Sequence, residues 1–227
     1  MSFFFKIYSL LDTLTNIIYI VTDVHVTMKW SFNDFTKLGF AKLLKPFENS
    51  IDDIVKITRA FGIATKAHLG QFRNGNKVEP YINHPLRVAL ILIEELGIDD
   101  VDLICASLLH DTIEKNYNSS ISTDQLRKEF GDSIYSIVHA LTKPKIRNEE
   151  KEKILNEYFQ NIANSSKAIR YIKLADRLDN IRGMKNLIHK DKVLRYKLET
   201  QKYVVPIAEK TDEKLAFKLS IALYELK

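Results

Sequence analysis

The feature that most limits how this chain can fold is an apolar run that ends in two polar side chains. Residues 103–109 are almost entirely apolar and are followed directly by His110 and Asp111. Such a run predicts a helix in the protein core, where an ionised carboxylate is costly to bury without a partner. Because imidazole and carboxylate groups together bind divalent metals, we expect a helix over about residues 100–114 that carries two adjacent metal ligands.

Two further candidate ligands lie in separate segments. His84 stands before a proline at the predicted start of one helix, and Asp176 lies within another helical segment. Each of these side chains, taken singly, also suits a structural role. If the three segments converge, His84, His110, Asp111 and Asp176 give two nitrogen and two oxygen donors, a set that suits Mn²⁺, Fe²⁺, Zn²⁺ or Co²⁺ better than Mg²⁺.

The apolar pattern after residue 50 predicts an all-α fold. Apolar residues recur at spacings of three and four, whereas no alternating strand pattern of useful length occurs, and the chain has only 7 glycines. Ser50 and Ser122 stand where N-caps are expected, and Gly131 and Lys143-Pro144 predict breaks between helices. We therefore predict a helical bundle.

The first 50 residues differ from the rest in composition. They are rich in Phe and Tyr and hold the single tryptophan, Trp30. Lys6, Asp12 and Asp23 interrupt their apolar stretches, so we expect no transmembrane helix. We predict an N-terminal appendage at residues 1–50, a main domain at 51–200 and a C-terminal helical extension at 201–227.

Several motifs occur in the order and approximate spacing of a known family. In chain order they are Gln71-Phe72-Arg73, Tyr81-Ile82-Asn83-His84-Pro85, Leu108-Leu109-His110-Asp111-Thr112-Ile113-Glu114, Phe130-Gly131 and Lys173-Leu174-Ala175-Asp176-Arg177-Leu178-Asp179-Asn180. On these motifs the chain resembles, over roughly residues 52–200, the hydrolase domain of the RelA/SpoT alarmone family. The resemblance implies an HD-domain helical bundle, Mn²⁺ as the metal and a guanosine polyphosphate as the substrate.

The implied reaction is hydrolysis of the 3′-pyrophosphate of guanosine tetra- or pentaphosphate, which leaves GDP or GTP. A bound metal ion lowers the pKa of a coordinated water and offsets the charge on phosphate oxygens. Glu114 is the candidate catalytic side chain that activates or positions this water. Lys115 follows it where the family has an aspartate, and we expect it either to disturb Glu114 or to face a substrate phosphate.

Four residues are candidates for substrate binding. Arg73 matches a family position that contacts the phosphates. Asn180, one helical turn after Asp176, matches a position near the nucleotide, and Tyr81 is placed to stack on the substrate or hydrogen-bond to it. Arg177 belongs to a basic cluster beside Asp176, of which only some members can face the cavity.

Lys115 leaves alternatives open. One is a catalytically impaired, alarmone-binding regulatory module that keeps the metal site. Another is an HD phosphohydrolase that acts on a different nucleotide. A third is a membrane-peripheral or partner-binding protein that acts through its aromatic first segment. Few residues follow position 200, so we expect no synthetase domain.

Composition limits the partners and the location. A net charge of +5 and a pI near 9.0 favour anionic ligands, but the basic residues are scattered, so no nucleic-acid partner is expected. A single cysteine, Cys105, excludes an intramolecular disulfide and fits a reducing, cytoplasmic compartment. The sequence leaves a homo-oligomer open.

Overall fold

The computed structural model describes residues 32–73, 79–114, 121–144, 150–185 and 190–226. Within these ranges the chain is helical, and its β structure is limited to an isolated bridge between Phe72 and Pro80. The helices are α1 (Asp34–Leu44), α2 (Ile51–Ala67), α3 (Asn83–Leu90), α4 (Val101–Leu109), α5 (Thr123–Leu141), α6 (Lys151–Ala163), α7 (Lys167–Arg182), α8 (Lys190–Glu199), α9 (Val205–Thr211) and α10 (Glu213–Glu225). The predicted all-α fold is confirmed. Among the described helices, each is too short or too polar to cross a membrane.

The predicted helix boundaries hold where they depend on local capping. Ser50 accepts a hydrogen bond from the backbone N–H of Asp53 at the start of α2. Ser122 and Gln125 form a reciprocal capping box at the start of α5. Gly131 kinks α5 with a φ of 80°, a conformation that side chains other than glycine rarely adopt, and this is the predicted break.

The helix that leads to His110 ends earlier than its sequence predicts. We expected it to run to about residue 114, and that boundary is wrong because α4 stops at Leu109. His110 Nδ1 donates to the Ser107 carbonyl at 2.7 Å, and Thr112 donates to the Leu109 carbonyl from both its hydroxyl and its backbone N–H. These bonds satisfy carbonyls that a longer helix would use, so residues 110–114 form turns.

The core is centred on α3, α4 and α7. Helix α4 packs against α2, α3 and α5, and α7 packs against α3, α9 and α10. Ile104, Leu108 and Leu109 are fully buried on α4. Each such side chain contributes about 1.5–3 kcal/mol of burial free energy, which holds the residues that follow α4 against α7.

The described part of the first 50 residues belongs to this core. Helix α1 packs against α3 and buries Phe40, Leu43 and Leu44. The Phe40 ring stacks on Phe61 of α2 with centroids 4.2 Å apart. Residues 1–31 lie outside the described residues, so the division at residues 50 and 200 stays a prediction, although residues 32–50 are packed rather than appended.

Candidate metal centre and adjoining cavity

The four sequence-predicted ligands come together from three segments. His84 lies in the first turn of α3, His110 and Asp111 follow α4, and Asp176 lies in α7. The Nε2 atom of His84 is 3.2 Å from Asp176 Oδ1 and 3.6 Å from Asp111 Oδ2. The Nε2 atom of His110 is 3.5 Å from Asp111 Oδ2 and 3.8 Å from Asp176 Oδ1. All four residues are buried.

Both imidazoles turn the same nitrogen toward this centre. His84 Nδ1 is 2.6 Å from Asp179 Oδ2, and His110 Nδ1 is 2.7 Å from the Ser107 carbonyl oxygen. Because a carboxylate and a carbonyl only accept, each Nδ1 carries a proton and each Nε2 is left with a lone pair. The Nε2 atom of His84 is buried and makes no hydrogen bond within the described residues.

This donor set fits a divalent metal ion. His84, His110 and Asp111 each offer a ligand atom within 4.8 Å of the others. Burial lowers the pKa of His84, but the neighbouring carboxylates of Asp176 and Asp179 outweigh it, so the pKa lies above its usual value without a metal. A metal ion would therefore compete with a proton for His84, as is usual at such sites.

Each carboxylate of the centre is held by a neighbouring donor. The Tyr81 hydroxyl donates to Asp111 Oδ2 at 2.6 Å. Lys173 Nζ donates to Asp176 Oδ2 at 3.0 Å, and the Asn180 amide donates to the other oxygen. Burial alone would raise the pKa of Asp176, but Lys173 and the two histidines hold it well below its usual value. The Asp176 carboxylate is therefore charged before a metal arrives.

Asp179 is the main residue at the centre to which sequence reasoning gave no role. It is buried, and its carboxylate accepts from His84 and from Arg87, whose Nε lies 2.5 Å from Oδ1. Burial raises the pKa of Asp179, but these bonds outweigh it and lower the pKa to about 2. Its position three residues after Asp176 places both carboxylates on one face of α7, which is the signal that could have found it.

A cavity of about 200 Å³, open to solvent, adjoins the centre and has Asp111, His110 and Asp176 in its wall. The positively charged side chains that line it are Arg73, Lys143, Lys173, Arg177 and Lys192. The acidic ones are Asp111, Glu114 and Asp176. Among the described residues of the wall, cations therefore outnumber anions before any metal binds, which favours a polyanionic ligand.

The predicted substrate contacts divide into two groups. Arg73, Tyr81 and Asn180 meet on one wall, where Arg73 donates to the Asn180 amide oxygen at 3.0 Å and lies over the Tyr81 ring. Arg177 is buried, and its guanidinium donates to Glu199 at 2.6 Å and to Thr200 at 3.1 Å. Both terminal nitrogens of Arg177 are therefore engaged within the protein, whereas its buried Nε has no hydrogen-bond partner among the described residues.

The predicted catalytic pair is described only in part. Glu114 is exposed at the cavity, and its Oε2 accepts from the backbone N–H of Lys143 at 3.0 Å. Lys115 lies outside the described residues. Sequence reasoning treated Lys143 only as a helix break, yet its side chain lines the cavity, and burial with nearby Lys173 and Arg177 lowers its pKa.

The chain is similar in sequence and in fold to known proteins. Residues 60–212 match the family described as HD domain. The chain is 35% identical to guanosine-3′,5′-bis(diphosphate) 3′-pyrophosphohydrolase MESH1 of Xenopus tropicalis, over 59% of this chain and 72% of that protein. It is 39% identical to guanosine-3′,5′-bis(diphosphate) 3′-pyrophosphohydrolase of Haemophilus influenzae, over 65% of this chain but only 21% of that longer protein. A solved structure described as a metazoan ortholog of SpoT that hydrolyzes ppGpp superposes with a TM-score of 0.66 and 28% identity, covering 75% of this chain and 94% of that one.

Proposed function

The chain belongs to the HD domain family, and from that premise we propose that it is a metal-dependent hydrolase that removes the 3′-pyrophosphate of guanosine tetra- or pentaphosphate to leave GDP or GTP. The observation that carries the proposal is the pairing of a buried His-His-Asp group with a basic cavity directly beside it. The names of the relatives from Xenopus tropicalis and Haemophilus influenzae supply the substrate.

We assign His84, His110, Asp111 and Asp176 as the metal ligands and Mn²⁺ as the metal. Mixed nitrogen and oxygen donors suit such an ion, which these four residues would hold. When bound, the ion supplies a water of lowered pKa and charge to offset that of the phosphate. Tyr81 and Lys173 hold the two carboxylates in place, and the Nδ1 hydrogen bonds aim both imidazoles.

Glu114 is the side chain that we propose positions the attacking water and accepts its proton at a carboxylate oxygen. Its Oε2 is anchored by the backbone N–H of Lys143, which leaves the other oxygen to face the cavity. A carboxylate within reach of a phosphoryl group is a suitable general base. Lys115 follows it in the chain and remains a proposed phosphate contact.

The cavity wall gives each substrate contact a proposed role. Arg73 and Asn180 bind the phosphates and the nucleotide, and Tyr81 supports Arg73 through its ring while fixing Asp111 through its hydroxyl. Two lysines add positive charge to the cavity wall: Lys143, which follows α5, and Lys192, which lies in the first turn of α8. Arg177 stabilises the wall through Glu199 and the Tyr196 ring, 4.4 Å away, rather than contacting substrate.

A cytoplasmic location is also part of the proposal. The one cysteine of the chain, Cys105, is buried in α4, and burial raises the pKa of its thiol to about 12. A thiol in this state is a packed core group rather than a reactive one.

The proposal is tested by incubating guanosine tetraphosphate with the purified full chain and Mn²⁺, and separating the products by chromatography. We expect GDP and pyrophosphate from the wild type and neither from Asp111→Ala. Orthophosphate as the product, or turnover of other nucleotides at a higher rate, would favour a different HD phosphohydrolase. Nucleotide binding without turnover would favour the regulatory module.

A further inference from the structure

A chain of charged side chains lies behind His84. It runs from Glu79 through Arg87 to Asp179 and ends on the His84 imidazole. Glu79, Arg87 and Asp179 are absent from the lining of the cavity described above. They lie behind the metal centre, and Arg73 of the cavity wall approaches the same Asp179 carboxylate at 3.6 Å.

The first link fixes the orientation of the imidazole. His84 is fully buried, and Asp179 Oδ2 lies 2.6 Å from its Nδ1. This bond directs Nε2 toward Asp111 and Asp176. At the equivalent nitrogen, His110 bonds to the neutral Ser107 backbone carbonyl, so the two imidazoles are supported differently.

The second link fixes the carboxylate. Arg87 forms a bidentate contact with the Asp179 carboxylate. Its Nε donates to one oxygen at 2.5 Å, and a terminal nitrogen donates to the other oxygen at 3.3 Å. Its remaining terminal nitrogen pairs with Glu79. Because His84 and Arg87 are three residues apart on α3, they share a face, and Asp179 of α7 bridges both.

On this geometry, and resting on the proposed function, we infer that Asp179 is a positioning residue that raises the metal affinity of His84. The Asp179 carboxylate places a negative charge against Nδ1, which makes the imidazole a better donor, and its pairs with Arg87 and, at 3.6 Å, with Arg73 hold that carboxylate in place. Asparagine at position 179 would keep an oxygen acceptor and the size of the side chain but would remove that charge. The inference therefore predicts weaker metal binding from a change that leaves the four ligands in place.

The test is to measure the Mn²⁺ affinity of the metal-free full chain. The protein is titrated with Mn²⁺, and binding is monitored by calorimetry and by the electron paramagnetic resonance signal of the free ion. For Asp179→Asn we expect affinity to fall about 10- to 100-fold. Arg87→Gln should give a smaller loss, since Asp179 keeps its charge and its bond to His84. Glu95→Gln is the matched control: Glu95 also pairs with two cations, Arg182 at 2.6 Å and Lys218 at 2.7 Å, and does not line the cavity.

The outcomes separate this inference from the proposed function. If the wild type binds Mn²⁺ and Asp179→Asn binds it as tightly, the inference is overturned while the proposed function stands. An equal loss in Glu95→Gln also overturns it, because the effect would then be general destabilisation. Should Asp179→Asn fail to fold, an unchanged affinity in Arg87→Gln overturns it and a reduced affinity supports it. A wild type that binds no Mn²⁺ overturns the proposed function itself.

Discussion

The metal centre differs in construction from the substrate wall of the cavity, which comprises Arg73, Tyr81, Asn180 and Glu114. At the centre every ligand is buried and held by a neighbour of fixed geometry, such as Asp179 behind His84 and Tyr81 beside Asp111. On the wall, Glu114 is exposed, and Arg73 is held by Asn180 and the Tyr81 ring, which also face the cavity, and by the buried Asp179 at 3.6 Å. The centre is thus organised before a ligand arrives, whereas the wall can exchange internal contacts for contacts with substrate.

The substitution with the largest expected effect disrupts the metal centre and leaves the substrate wall of the cavity intact. Asp111→Ala removes a ligand whose charge the buried site needs, so turnover of guanosine tetraphosphate should fall by more than about a thousandfold, equivalent to about 4 kcal/mol of transition-state stabilisation. Initial rates with saturating Mn²⁺ measure this loss. Binding of the nucleotide by equilibrium dialysis should persist at a reduced level, and rates near those of the wild type would contradict the assigned ligand.

The second effect tests whether the centre is organised by ion pairing before a metal binds. Lys173→Met leaves the buried Asp176 carboxylate without its 3.0 Å cationic partner. Breaking a buried pair costs about 3–5 kcal/mol, so the metal-free protein should lose that much free energy of unfolding in urea. Mn²⁺ should restore part of the loss, because the ion replaces the missing charge. Equal losses with and without Mn²⁺ would argue against Asp176 as a ligand.

The third effect tests the wall. Arg73→Gln removes a cation that donates to Asn180 and lines the cavity. A hydrogen bond to a charged group contributes about 1.5–3 kcal/mol, so we expect KM to rise at least about tenfold while kcat changes less. Steady-state kinetics separates the two constants. A fall in kcat with KM unchanged would place Arg73 in the chemical step instead.

The smallest effect is expected at an ion pair that is remote from both the metal centre and the substrate wall. Burial tends to raise the pKa of Glu95, but Arg182 and Lys218 hold it below 4.5. A lowered pKa contributes stability above pH 4.5 that is lost as the pH falls through the folded-state value. The free energy of unfolding of the wild type should therefore exceed that of Glu95→Gln by about 1 kcal/mol or less at pH 7. This difference should shrink at acid pH. A pH-independent difference in urea unfolding would contradict this.

The sequence predicts the centre better than the wall for a physical reason. His110 and Asp111 were identifiable because a polar group at the end of an apolar helical segment is costly unless something binds it, and His84 and Asp176 because their motifs occur in the order of the family that the chain resembles. Local capping at Ser50 and Ser122 could likewise be read from a few neighbouring residues. Features that depend on local chemistry are therefore within reach of a single sequence.

Features that depend on pairing between distant segments were missed. The bond between Arg87 and Asp179 joins residues 92 positions apart, and the Arg177 contact with Glu199 joins two helices. The end of α4 at Leu109 is set by side-chain bonds to its last carbonyls that periodicity does not report. The aromatic composition of the first 50 residues is compatible with packing on the main domain or on a partner, and it does not specify the contact of Phe40 with Phe61.

The central claim is that one metal ion is held by His84, His110, Asp111 and Asp176. Crystals of the Mn²⁺-loaded protein, measured at the manganese absorption edge, test it most directly through the anomalous difference map. The account predicts a single strong peak bonded to the Nε2 atoms of both histidines and to both carboxylates. A peak elsewhere, or none at this centre when Mn²⁺ supports turnover, would contradict it.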